Sequence, residues 1–240
     1  MDFNIKGFIS TSMVDWPGKI SSVIFLAGCG FRCPACHNRA LVLEPHTLPD
    51  YSIEDILDQL TSRRDWIDGV TVTGGEPTTG KDLPALLRLL RSCGAKIKVD
   101  TNGSNPSMLK HLVSSGLVDA VYMDVKAPFE IEAYSMAAGV AVDPRIIRRS
   151  VEILKGSGLE TVFRTTVVPD LVGESELEAI RRGLGSVQRF IIQPFRPVDT
   201  LNPEFSEREG LPLERFEYLR DQFEIPTRAP ARGIGFARAG

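Results

Sequence analysis

Short apolar runs alternate along this chain with stretches in which apolar side chains recur every three or four positions. The first run, residues 21–26, reads as a buried strand. Ser52 then offers a helix N-cap with Asp55 three residues on, and Ile53, Ile56, Leu57 and Leu60 share one helical face. The unit repeats: a strand at 70–73, then Asp82 as a cap before Leu83, Leu86, Leu87 and Leu90, closed by Gly94. A strand at 97–100 leads to a helix opened by Asn105 and Pro106 and carrying Leu109, Leu112 and Val113. Further strands are expected at 118–124, 161–168 and 190–193, with helices on Ile147, Val151 and Leu154 after Asp143-Pro144, over 177–184, and on Phe216, Leu219 and Phe223. No repeat period or low-complexity tract interrupts the alternation.

Stacked βα units of this kind predict an α/β protein with about six parallel strands, a partial (β/α)6 TIM-like barrel in one domain. A doubly wound open sheet is the alternative. Residues 1–20, with Pro17-Gly18 as a turn, form an N-terminal strand or hairpin extension; residues 21–224 form the core; residues 225–240 form a basic tail with Arg228, Arg232 and Arg238.

Composition narrows the function. At 240 residues, 42% hydrophobic and 25% charged, the chain can bury one large core. A net charge of -3 provides no general attraction to nucleic acid, and no apolar run is long enough to cross a bilayer, so a cytoplasmic protein without nucleic-acid or membrane partners is expected. Of the 4 cysteines, Cys29, Cys33 and Cys36 fall on one loop after the first strand, unlike a distributed disulfide framework. Thiolates are soft ligands, and three of them leave one iron of a four-iron cube without a protein ligand. The spacing also permits zinc with a histidine as fourth ligand, or a thiol-disulfide pair at Cys33-Pro34-Ala35-Cys36. Cys93, at a helix end before Gly94, reads as a small buried thiol.

A C-x3-C-x2-C loop after the first strand of a partial barrel resembles the radical S-adenosylmethionine superfamily. The resemblance implies a [4Fe-4S] cluster on Cys29, Cys33 and Cys36. It further implies S-adenosylmethionine chelated to the open iron and cleaved reductively to a 5′-deoxyadenosyl radical that abstracts hydrogen.

Polar groups stand at the end of each later strand, the face on which barrel enzymes build their sites. Gly74, Gly75 and Glu76 follow the second strand, where adjacent glycines let a ligand approach the backbone. Residues 75–81 also match most of a phosphate loop, but Asp82 stands where a magnesium-binding hydroxyl belongs and Glu76 would repel phosphate. By resemblance, Glu76 instead receives the methionyl ammonium, and Ala35, Cys36, His37, Gly74, Gly75 and Asn102 also contact the cofactor. Asp100, Thr101 and Asp124 then hold a monovalent cation, Lys126 reaches the cofactor carboxylate, and Arg164 and Arg196 contact cofactor or substrate.

Residues Ser10 to Lys19, with Cys36-His37-Asn38, are similar to the anaerobic ribonucleoside-triphosphate reductase activating proteins. Such a protein removes a Cα hydrogen from a glycine of the reductase, its partner, and takes electrons from a donor such as flavodoxin or ferredoxin. Ala35 departs from the family, which usually carries an aromatic there and packs it against the adenine region; lower cofactor affinity is the expected consequence. Asp15, Trp16 and Pro17 read as a structural hairpin positioning the cysteine loop. A pyruvate formate-lyase activating enzyme or another radical enzyme is the alternative within the class, and a zinc-binding module the alternative outside it.

Overall fold

The computed structural model describes residues 3–225, so the basic tail, apart from Ile225, lies outside the described residues. One sheet runs in chain order: β1 (Ile5–Ser12), β2 (Ser21–Leu26), β3 (Gly69–Gly74), β4 (Lys96–Thr101), β5 (Ala120–Asp124), β6 (Glu160–Val167) and β7 (Phe190–Pro194). β1 pairs antiparallel with β2, and each later pair is parallel. The order ends on β1 and β7, which do not pair, so the sheet does not close. The six parallel strands are the six units expected, and the N-terminal extension becomes the antiparallel edge.

The helices are α1 (Arg39–Leu43), α2 (Ile53–Ser62), α3 (Leu83–Ser92), α4 (Pro106–Ser114), α5 (Ile131–Ala138), α6 (Pro144–Lys155), α7 (Glu174–Leu184), α8 (Pro203–Ser206) and α9 (Leu213–Phe223). Ser52, Asn105 and Asp143 cap α2, α4 and α6 by accepting from backbone N–H groups of the first turn. Asp82 stands at the N-cap of α3, but its side chain accepts no cap hydrogen bond. That helix rests instead on Leu83, Leu86, Leu87 and Leu90, all buried. The periodicity misses α1, α5 and α8, which are short; α5 ends on two alanines that give no amphipathic signal.

Strand alternation divides the sheet's two faces. Val70, Val72, Ile97, Val99, Val121 and Met123 lie in the main core with the helices. The register aligns the alternate positions Thr71, Lys98, Ala120 and Glu160 in one row, and Asp100, Tyr122 and Val162 in the next. This second face lines the lumen of the partial barrel.

Trp16 closes that lumen at the amino-terminal end of the strands. It is 1% exposed, packs with Ala120, Tyr122 and Val162, and donates from Nε1 to Glu160 Oε1 at 3.2 Å. The Trp16 hairpin is therefore structural, as expected, but it plugs the end opposite the cysteine loop rather than positioning that loop. Trp16→Ala is expected to destabilise the metal-free protein by about 3–5 kcal/mol, by cavity formation, while iron content after reconstitution stays unchanged. Urea denaturation and iron analysis check this, and loss of iron binding at full stability would return the hairpin to the cysteine loop.

Candidate active site

The loop after β2 is tied on both sides. Arg32 N donates to Ala138 O of α5 at 2.8 Å, while Leu201 N and Asn202 N donate to Cys36 O and Pro34 O at 2.8 and 3.0 Å. Glu76 N donates to Gly28 O at 2.8 Å, and Asn38 Nδ2 to Gly74 O at 2.6 Å, so this loop and the one after β3 hold each other. That contact requires glycine. A Cβ on Gly75 would lie 2.1 Å from Gly28 O, and one on Gly74, whose φ is +125°, would lie 2.2 Å from Leu26 O.

A cavity of about 290 Å³ opens among the carboxyl ends of the strands, and Cys29, Cys33, Cys36, Asp100, Asp124 and Arg164 are among its lining residues. Ala35, His37, Gly74, Gly75, Thr101, Asn102 and Lys126 also line it, so most of the expected site residues are brought together. Cys93 does not line it; it is half-buried beside Thr61, not fully buried. All the cysteines are free thiols, so Cys33 and Cys36 form no disulfide. Burial raises the Cys29 thiol and pushes Cys33 up to about 12. Metal binding must then drive off these protons.

The zinc alternative needs four ligands converging within about 2.3 Å of one point. The thiols instead surround a cavity, which fits a cluster several atoms across better than one zinc with ligands at about 2.3 Å. His37 turns Nε2 to the Arg196 carbonyl at 2.5 Å and stacks on Phe195 at 6.1 Å. The donor set fits the cluster.

Charge is concentrated beside the thiols. Arg164 Nε donates to Asp124 Oδ1 at 2.7 Å, and Lys126 Nζ to Asp124 Oδ2 at 3.0 Å. Against the upward push of burial, these two cations hold the Asp124 carboxyl down to about 2. Burial disfavours the charged forms of Lys126 and Arg164, but the facing carboxylates outweigh it and raise both. Lys98 was not among the sequence candidates. Its side chain is 0% exposed and donates to Asp100 Oδ1 at 2.5 Å. Its signal was available, since in Lys96–Thr101 a lysine and an aspartate alternate with Ile97 and Val99.

Two of the expected site residues are not brought to the cavity. Glu76 is 1% exposed, does not line the cavity, and accepts from Thr78 N, Thr78 Oγ1 and Thr101 Oγ1 at Oε1 and from Asn102 N at Oε2. With both oxygens engaged by donors of the loops after β3 and β4, its carboxylate ties those two loops together. Arg196 is exposed and absent from the lining, because the chain turns outward after β7; only its carbonyl meets the site, through His37. The phosphate-loop alternative also closes, since Thr78 N, Thr79 N and Gly80 N all donate within the segment and Lys81 is exposed. Ala35 packs against an apolar cluster of Val168, Phe195 and Phe205, so a wall forms there without its own aromatic ring.

A family model described as the radical SAM superfamily matches residues 23–182. A protein of Methanocaldococcus jannaschii named as a glycyl-radical enzyme activating enzyme is 31% identical over 226 residues, spanning 92% of this chain and 90% of that protein. The pyruvate formate-lyase-activating enzyme of Streptococcus mutans is 30% identical over 219 residues, 85% of this chain and 80% of its own. Among solved structures, TYW1 with a lysine-pyruvate adduct bound aligns with a TM-score of 0.60 at 15% identity, over 85% of this chain and 72% of that one, a likeness of fold.

Proposed function

The chain belongs to the radical S-adenosylmethionine superfamily, in its glycyl-radical activating family, and on that premise we propose that it activates an anaerobic ribonucleoside-triphosphate reductase. Proteins of this superfamily use a [4Fe-4S] cluster and S-adenosylmethionine. When bound, the pair supplies a 5′-deoxyadenosyl radical by one-electron cleavage of the sulfonium bond.

The observation that carries the reading is the cavity at the strand ends, lined by three free thiols of one loop and facing the cations Lys126 and Arg164. Cys29, Cys33 and Cys36 would hold the cluster, and with three thiolates for four irons one iron would stay open to the methionyl group. Gly74 and Gly75 keep the backbone close to it, and Asn38, bonded to Gly74 O, fixes that backbone. Lys126 and Arg164, each held by Asp124, place positive charge on the cavity wall, where they would receive the cofactor carboxylate. Ala35, with Val168 and Leu171, gives an apolar wall that excludes water beside them.

The reductase as target rests on the segment Ser10 to Lys19 and on Cys36-His37-Asn38. The sheet that does not close supports a protein substrate, because an extended glycine loop can reach strand ends that a full barrel would enclose. A small one-electron protein, flavodoxin or ferredoxin, is the expected donor. The pyruvate formate-lyase activators among the relatives favour a second reading, activation of that lyase.

One experiment separates them. An anaerobic reductase and a pyruvate formate-lyase, each labelled with α-deuterated glycine, are incubated with reduced enzyme and S-adenosylmethionine. Deuterium is expected in 5′-deoxyadenosine with the reductase alone. Transfer from the lyase alone selects the second reading, and transfer from neither overturns both.

A further inference from the structure

The three groups that the family resemblance assigns to a monovalent cation are already engaged by the chain itself. Lys98 Nζ lies 2.5 Å from Asp100 Oδ1, and Arg164 Nη1 lies 3.5 Å from the same oxygen. Asp124 gives Oδ1 to Arg164 and Oδ2 to Lys126. Thr101 Oγ1 donates to Glu76 Oε1 at 2.7 Å and accepts from Gly103 N at 3.1 Å. Two carboxylates thus face three side-chain cations, and a metal ion added beside Asp100 would meet repulsion from Lys98 and Arg164, which already occupy its Oδ1.

Lys98 is the residue that makes the difference. Its place in β4 follows from alternation: Ile97 and Val99 face the helices, so Lys98 and Asp100 share the lumen face. A fully buried ammonium must be paired, and this one has Asp100 at its tip and the Tyr122 ring 4.3 Å away. Tyr122 is itself fixed by its hydroxyl, which donates to Glu160 Oε1 at 2.8 Å. The stem is itself 0% exposed, in the row of Thr71 and Ala120 on the lumen face.

We propose that Lys98 is a built-in counter-ion, whose ammonium takes the place of a free monovalent cation beside Asp100, so that the assembled site requires none. Lys98 is then a positioning residue: it holds Asp100, which with Asp124 holds Arg164 at the cavity wall. The inference rests on membership of the superfamily and stands whichever glycyl-radical protein is the target.

The test measures S-adenosylmethionine affinity of the reconstituted holoenzyme by calorimetry in potassium, sodium and tetramethylammonium acetate at equal ionic strength. Wild-type affinity is expected to vary less than twofold among them. Lys98→Ala is expected to lose affinity at least tenfold in tetramethylammonium and to regain most of it in potassium. Anomalous diffraction from thallium(I) acetate soaks is expected to show thallium beside Asp100 in Lys98→Ala and not in the wild type. Should Lys98→Ala not fold, Lys98→Met, which keeps the stem, takes its place. A tenfold potassium dependence of the wild type, or thallium bound there beside an intact Lys98, would overturn the proposal. So would a folded Lys98 variant whose affinity ignores the cation.

Discussion

Replacing Cys29, Cys33 or Cys36 by alanine is expected to abolish the four-iron cluster, leaving iron and sulfide near zero after anaerobic reconstitution, whereas Cys93→Ala keeps both. The reason is chelation: the three thiols share one loop and line one cavity, and a cube held by two of them exposes a second iron to solvent. Cys93 follows α3 as its C-cap, half-buried against the core with Thr61 as its neighbour, and does not line the cavity. Burial raises the Cys29 thiol and pushes Cys33 up to about 12, so cluster binding must drive off those protons. Iron analysis and the visible absorption of the reconstituted proteins give the answer. Full cluster content in Cys33→Ala would falsify the ligand assignment, as would its loss in Cys93→Ala.

Glu76→Ala is expected to act on the fold before it acts on the cofactor. The carboxylate accepts from Thr78 N, Thr78 Oγ1, Thr101 Oγ1 and Asn102 N in a buried junction, and removing it leaves those donors without partners. Burial raises this carboxyl despite the donors, so part of its charge cost is already present in the native protein. The net loss is about 3 kcal/mol. The metal-free protein should then melt roughly 6–12 °C lower, at about 2–4 °C per kcal/mol for a chain of this size. S-adenosylmethionine binding weakens only as far as the loops after β3 and β4 move apart. An unchanged melting temperature with cofactor binding abolished would restore Glu76 to the role of ammonium partner.

The residues that sequence reasoning placed correctly share a property: each is fixed by its neighbours along the chain. Cys29, Cys33 and Cys36 occupy one loop, so their spacing alone brings them to one place. Asp100, Asp124 and Arg164 lie near the ends of strands whose direction the βα alternation sets, and parallel strands deliver their ends to one face. Gly74 and Gly75 were legible as a close approach, although the partners, the Leu26 and Gly28 carbonyls, were not.

What the sequence by itself determined is therefore the six-unit parallel sheet, an added N-terminal strand at its edge and the thiol loop at the strand ends, because local periodicity and spacing carry that information, while the antiparallel direction of that edge came from the structure. Tertiary structure alone decided where individual side chains point. Glu76 is turned from the cavity by Thr101 and Asn102, which lie 25 and 26 residues away and reach it only when β3 and β4 pair. Trp16 is carried by β1 to the opposite end of the lumen, where Glu160, 144 residues later, receives its indole N–H. Lys98 becomes a buried counter-ion because β5 sets Tyr122 beside it and β6 brings Arg164 to Asp100. A hydrogen bond or ion pair is decided by which partners arrive within about 3 Å, and for these residues the partners come from other strands.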